Sequence, residues 1–333
     1  MSAPKLSIVF VGGYARSGST LLDRLLGQVP GFESVGEVRH IWHRSFHENQ
    51  LCGCGRPFRE CPYWQVVVEH AYGGFAGIDV NAVRRAKQHV DSFVNIPRIL
   101  AGGWTASYRR RMAAYIEALG PLYRGIQAVS GAQFVVDSTK DPQHAYILRT
   151  IPGFDVRIVH LVRDSRAVAF SWRRVRSRPE VHWQQKAMPR YPVARTALAW
   201  NLTNRAVEAA RSRQMEYVRV RYEDLVADPR RELTRIMECL DLGPAKFPFL
   251  EGGKANLQTG HTVSGNPVRF QTGVVELVSD DEWMRSMGGF RRGLVTVLTS
   301  RLLHRYGYLD DRTAGRSRPR SDHAPGDVHP DGR

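Results

Sequence analysis

No apolar run in this 333-residue chain approaches the ~20 residues that cross a bilayer. The opening Met1-Ser2-Ala3-Pro4 leads straight into an apolar strand pattern and lacks the cationic and apolar regions of a secretory signal. A soluble, cytoplasmic protein is therefore expected. Cysteine is scarce: four residues cannot build the dense disulfide framework of a small secreted domain. Acidic residues are outnumbered, 32 Asp and Glu against 48 Lys and Arg, which leaves a net charge of +16. Such a surplus suits an anionic partner. Its cations are nevertheless dispersed, as at Arg84-Arg85, Arg109 to Arg111 and Arg291-Arg292, and no nucleic-acid reader motif accompanies them. Nucleic acid is not an expected partner. Steering of an acidic substrate, peripheral contact with an anionic membrane and plain solvated faces all stay open as uses of the charge.

What is present is an alternation of strand and helix signals. Apolar, β-branched runs near 6–11, 133–136, 156–162 and 217–221 are separated by helical stretches, which predicts an α/β fold with one mainly parallel, doubly wound sheet. The long interval 38–132 is mostly helical in pattern and reads as an insertion over the C-terminal edge of the sheet, where open α/β sheets bind ligands. FRRGLVTVLTSRLLHRYGYL predicts a closing amphipathic helix, so that residues 1–310 form a single domain. Residues 311–333 are rich in Arg, Pro, Gly, Ser, Asp and His and predict a disordered basic tail.

The most informative stretch is IVFVGGYARSGSTLL, Ile8 to Leu22. Strand, glycine-rich turn and helix N-terminus together make an anion cradle, because loop amides and the positive end of the helix dipole point at one place. The spacing Gly13-x4-Gly18 is that of a P-loop, yet the GK[ST] ending is missing. The chain reads Gly18-Ser19-Thr20, and its cation sits earlier, at Arg16. A Walker lysine reaches the β- and γ-phosphates of a nucleoside triphosphate. Its absence points to a phosphate-bearing ligand other than Mg-ATP.

A second strand signal, VRIVHLV, is followed at once by RDSRAVAFSWRR. Arg163 sits at the strand–helix junction, and Ser171 lies a little over two helical turns beyond it. The two need not share a helix face, but both reach one phosphate if the chain bends at that junction. With these motifs in order, the sequence resembles the sulfotransferases that use 3′-phosphoadenosine 5′-phosphosulfate (PAPS). YARSGSTLL is similar to their 5′-phosphosulfate loop, in the arginine-containing form of the tyrosylprotein and bacterial carbohydrate or metabolite branches. Arg163 and Ser171 are similar to their 3′-phosphate pair. VGEVRHIW matches a GE-x-R element, VVDSTKDPQH a lysine that assists transfer, and VRYEDLVADP a segment whose tyrosine lies by adenine. HTVSGNPVRF, residues 261–270, resembles a C-terminal phosphate-contacting loop.

The resemblance implies a sulfotransferase fold and a set of roles. Arg16 holds the 5′-phosphate, with the backbone from Ser17 through Gly18 to Leu21 and the hydroxyls of Ser19 and Thr20 completing the cradle. Lys140 neutralises charge on the transferred group. Cytosolic relatives place a histidine base two positions after that lysine; here Pro142 stands there, so Glu37 becomes the expected base, with His40, Asp141 and His144 in reserve. A structural Glu37 would instead pair with Arg39. Arg163 and Ser171 select the 3′-phosphate, Tyr222 contacts adenine, and Arg269 is a further phosphate candidate. The implied donor is PAPS, without a metal. The acceptor is a hydroxyl of a carbohydrate, glycolipid or small molecule, lined by 38–132 and by 175–195; Trp42, Trp104, Tyr108 and Trp183 are either stacking surfaces or core. Rival readings are a P-loop small-molecule kinase and a non-catalytic nucleotide-binding module.

Cys52, Cys54 and Cys61 cluster in LCGCGRPFRECPYW. Zinc ligation with His43, His47 or His70 as fourth donor, a local disulfide, and reduced thiols in a turn are the three readings. CxC is not the usual CxxC knuckle, and similar CPxW segments in bacterial sulfotransferases suggest a scaffold rather than a catalytic device; no metal is assigned to the site, and the three readings stay open. Cys239 is expected in the core.

Overall fold

The first apolar run forms the central strand of a five-stranded sheet. In the computed structural model, which describes residues 5–102 and 104–309, the strands are β1 (Leu6–Gly12), β2 (Phe32–Gly36), β3 (Phe134–Lys140), β4 (Phe154–Val162) and β5 (Tyr217–Arg221). They lie in the order β2-β3-β1-β4-β5, and every neighbouring pair is parallel. The tail expected at 311–333 lies outside the described residues.

Strand alternation sorts the core into two layers. Leu6, Ile8 and Phe10 of β1 face one cluster with Val135, Val156 and Ile158, while Val9 and Val11 face the other with Val136, Val159 and Leu161. Both faces must therefore be covered. On the second face lie α1 (Ser19–Leu26), α9 (Tyr222–Ala227) and α10 (Pro229–Cys239), through Leu22, Leu225 and Ile236 among others. On the first lie α2 (Pro62–Tyr72), α3 (Val80–Val90), α4 (Ile96–Ala101), α5 (Ala106–Ser130) and α6 (Pro142–Leu148). Two smaller clusters join α7 (Ser165–Ser171), α8 (Val193–Glu208), α11 (Glu282–Ser286) and α12 (Gly289–Arg305) beyond β4.

Three differences from the sequence reading matter. The edge strand β2 was not expected; FESVG is short and half polar, so its pattern is weak. A separate antiparallel sheet of β6 (Leu250–Glu251), β7 (Lys254–Leu257) and β8 (Gly273–Glu276) packs beside the main one. And β3 does not stop near 136 but runs on through Ser138 and Thr139 to Lys140. Between the pairs Phe10–Asp137 and Gly12–Lys140, β3 carries one residue more than β1. Such a bulge re-aims the side chain at the strand end.

The insertion is helical, as expected, after a π-helical turn at Ile41–His47. Trp42 and Tyr108 are buried in the core, Trp104 packs against it, and Trp183 is exposed. Cys239, expected in the core, is exposed at the end of α10.

The turn after β1 depends on glycine. Gly13 has φ +143°, and a Cβ there would lie 2.2 Å from the carbonyl oxygen of Leu161. Gly13→Ala is expected to destabilise the fold by about 1–3 kcal/mol, the usual cost of forced overpacking. Urea unfolding reads this directly; an unchanged midpoint would show that β4 yields freely.

Candidate active site

Each strand of the main sheet delivers one group at its C-terminal end. Past β1 comes the loop 13–20, past β2 Glu37, at the end of β3 Lys140, past β4 Arg163, and past β5 Tyr222. All of them except Ser17 line a single cavity of about 630 Å³. Ligands of open parallel sheets bind outside these strand ends.

The loop 13–20 closes on Gly18, which caps α1 at φ +92°. A Cβ there would sit 2.3 Å from the ring of Tyr222, so that ring lies directly on the loop. The amides of Leu21 and Leu22 bond back to the Gly18 carbonyl (3.0 and 3.1 Å). Those of Ser19 and Thr20 precede any helical acceptor and line the cavity at the positive end of α1. The Thr20 hydroxyl accepts from the Asn266 amide at 3.3 Å. Ser17 is buried beneath the loop, off the cavity wall, with its Oγ unpartnered.

Arg16 holds a left-handed backbone, φ 74°, that a non-glycine residue rarely adopts. Its guanidinium stacks 4.8 Å over Trp172 and donates to the thioether of Met188. Burial, with Arg176 nearby, pulls it down to about 10, so it stays charged at neutral pH. No carboxylate among the described residues forms an ion pair with it, which leaves its charge free for an anion.

Lys140 also has positive φ, 75°. Its ammonium bonds directly to Glu37 Oε1 and to the Ser138 carbonyl at 3.0 Å. The Arg44 guanidinium lies 3.7 Å from Glu37 Oε2, as does His40 Nε2. Burial pushes the Glu37 carboxyl up, but Lys140 and then Arg44 outweigh it and hold the group below the usual glutamate range. His40 is held well below its ordinary value by burial and then by Arg44 and Arg39, so it faces the cavity neutral. Arg39, the partner of a purely structural Glu37, instead bridges Asp91 (2.8 Å) and Asp141 (3.0 Å).

Arg163 and Ser171 share the cavity, because the chain turns between β4 and α7 at Asp164, which caps the helix through the Arg166 amide (2.8 Å). Arg163 stacks 4.6 Å over Tyr222, donates to the Arg16 carbonyl at 3.2 Å and lies 3.3 Å from the Asp280 carboxylate. Its buried Nε has no partner.

Some expected residues stand elsewhere. Arg269 is not on the cavity wall: its buried guanidinium donates to the carbonyls of Thr262 and Leu51, each at 2.5 Å, and braces two loops. His144 is fully buried, 3.4 Å from Asp91 and 3.3 Å from the Tyr123 hydroxyl, out of reach of any substrate. Asp141 lines the cavity but is engaged by Arg39. Among the described residues of the insertion, only His40 and Arg44 reach the wall. The stretch 175–195 contributes more, with Arg176, Arg178, Glu180, Met188 and Tyr191. Sequence reasoning missed Asp280 and the role of Trp172. The tryptophan's adjacency to Ser171 was the available signal; nothing local marks Asp280.

No curated protein matches the chain. Among solved structures it is similar to the sulfotransferase domain from the curacin biosynthetic pathway, at 16% identity and TM-score 0.47, over 92% of this chain and 99% of that one. It is also similar to sulfotransferase STF9 from Mycobacterium avium (15%, TM-score 0.39, 72% of this chain and 65% of that) and STF1 from Mycobacterium tuberculosis H37Rv (15%, 0.37, 72% and 68%). The family model described as the sulfotransferase family matches residues 68–244, just over half of the chain. That span carries the ends of β3, β4 and β5, with Lys140, Arg163, Ser171 and Tyr222 on the cavity wall. By this match the chain belongs to the sulfotransferase family.

Proposed function

We propose that this protein transfers the sulfuryl group of PAPS to a hydroxyl of a carbohydrate, glycolipid or small-molecule acceptor, without a metal. The observation that carries the reading is the Glu37–Lys140 contact beside an anion cradle that lacks a Walker lysine. In this reading the first-turn amides of α1 and Arg16 bind the 5′-phosphate, and Arg163 with Ser171 binds the 3′-phosphate. PAPS supplies the activated sulfuryl group. Glu37 takes the proton of the acceptor hydroxyl as its oxygen bonds to sulfur. Lys140 and Arg16 stabilise the charge that collects on the bridging oxygen as the sulfur–oxygen bond to the 5′-phosphate breaks. Fixed cations suffice because the transferred group bears less charge than a γ-phosphate. Arg176, Met188 and Tyr191 face the remaining space, where a small acceptor would lie.

Calorimetry with 3′-phosphoadenosine 5′-phosphate, free of Mg²⁺, tests the donor site. Arg163→Ala should weaken binding by about 10- to 100-fold, the value of a charge-assisted hydrogen bond, and leave adenosine 5′-phosphosulfate unaffected. Preference for Mg-ATP, or indifference to the 3′-phosphate, would sink the reading and favour a kinase.

A further inference from the structure

The cluster Cys52, Cys54 and Cys61 gains a fourth member from far along the chain. His261 brings Nδ1 to 3.3 Å from the Cys61 sulfur and 3.9 Å from that of Cys52, while Cys54 and Cys61 sulfurs are 3.6 Å apart. All four donor atoms lie within 4.8 Å of one another. A tetrahedral zinc with its usual bond lengths has ligand–ligand edges of about 3.5–3.8 Å. We propose that Cys52, Cys54, Cys61 and His261 form a structural zinc site that fastens the loop at 51–61 to the segment 261–265.

The donor set is closed: three thiols and one imidazole fill a tetrahedron and leave no open position for substrate. Cys52 and Cys61 are buried, Cys54 and His261 half-buried. The surroundings hold the ligands in place. The Cys52 amide donates to the Arg56 carbonyl (2.8 Å) and the Gly55 amide to the Cys52 carbonyl (2.9 Å), which closes a tight turn between the first two cysteines and the third. The Gly53 amide reaches across to Thr262 (2.9 Å). Trp64 Nε1 donates to the His261 carbonyl at 2.8 Å, and the Tyr63 ring stacks on the imidazole at 4.7 Å and 6°. These contacts hold the His261 backbone and the plane of its ring. A disulfide accounts for less: joining Cys54 to Cys61 leaves the buried Cys52 and the His261 ring without a reason to converge.

The site also has a place in the architecture. Two residues after His261, Val263 pairs with the end of β2: its amide donates to Val35 (2.9 Å), and the Glu37 amide donates to its carbonyl (2.8 Å). The ion would thus tie the insertion to the backbone that positions Glu37. Its role is positional, and it takes no part in the transfer.

The test is metal content of the full chain, expressed with zinc and purified under reducing conditions without chelator. The expected result is a single zinc ion per chain, released by a mercurial thiol reagent. Cobalt(II) in its place should give the intense visible bands of a tetrahedral thiolate site. His261→Ala should lose the metal, His261→Cys should keep it with a four-thiolate cobalt spectrum, and Cys239→Ser should change nothing. Protein that is folded yet far below one zinc per chain overturns the proposal. So does a cobalt spectrum that His261→Ala leaves unaltered.

Discussion

Exchange of Glu37 for glutamine should lower kcat by about 10² to 10⁴, the range expected for a lost general base, and barely affect binding of 3′-phosphoadenosine 5′-phosphate. The amide keeps the shape of the side chain and still offers an oxygen to Lys140, but it cannot take a proton. The pH profile separates this from structural damage. Lys140 and Arg44, against the opposing pull of burial, hold the folded carboxyl below the usual glutamate range. A base is active when deprotonated, so the wild-type acid limb of kcat/KM lies below that range, and activity falls only as pH drops through the lowered value. The same ionisation supports the fold above the unfolded pKa and is lost as pH falls through the folded one, so the profile is taken from initial rates with an unfolding control. In Glu37→Gln the limb should vanish. A kcat within tenfold of wild type would move the base to His40, which faces the same space in neutral form.

The second large effect belongs to Lys140. Lys140→Met should cost about 10² to 10³ in kcat, as removal of one preorganised charge-stabilising group does. It should also move the acid limb to higher pH, because the strongest force lowering the Glu37 carboxyl is gone. That shift distinguishes a lysine that acts with Glu37 from one that merely binds phosphate. Stability changes too. Both side chains are largely buried, about 11% and 10% exposed. Breaking such a pair on one side costs about 3–5 kcal/mol, less here because Arg44 stays near the carboxylate. The double variant Glu37→Gln/Lys140→Met should therefore recover much of the stability and none of the activity, a non-additivity expected of residues in contact. A kcat loss with an unmoved acid limb would count against the coupling.

What could be read from the chain follows the range over which its signals act. β1, β4 and β5 were legible because each is a dense apolar run bounded by turn residues, and the turn at 13–20 because strand, glycines and helix start lie within fifteen residues. The end of β3 was not: Ser138 and Thr139 are polar, and their pairing is set by neighbours in the sheet. Lys140 still stands out in the sequence, since it follows the apolar run closely, and it ends β3 on the cavity wall. For Arg269 the sequence shows a cation in a loop but not that two carbonyls claim it. His261 could not be matched with the cysteines, since nothing between residues 61 and 261 marks the return of the chain. Within the sequence only the nearby His43, His47 and His70 stand close enough to suggest a fourth donor.

The central place of β1 in the sheet has a consequence for synthesis. Leu6 pairs with Phe154 and Ser7 with Phe134, so neither neighbour of this strand exists until well over a hundred further residues have been made. Pairings this distant slow folding, because the loop they close must be ordered before any contact rewards it. Until then IVFV is an apolar strand with two open edges, the kind of segment on which nascent chains aggregate. The strand that leads into the loop 13–20 is thus made well before either of its neighbours and is enclosed only after both have followed.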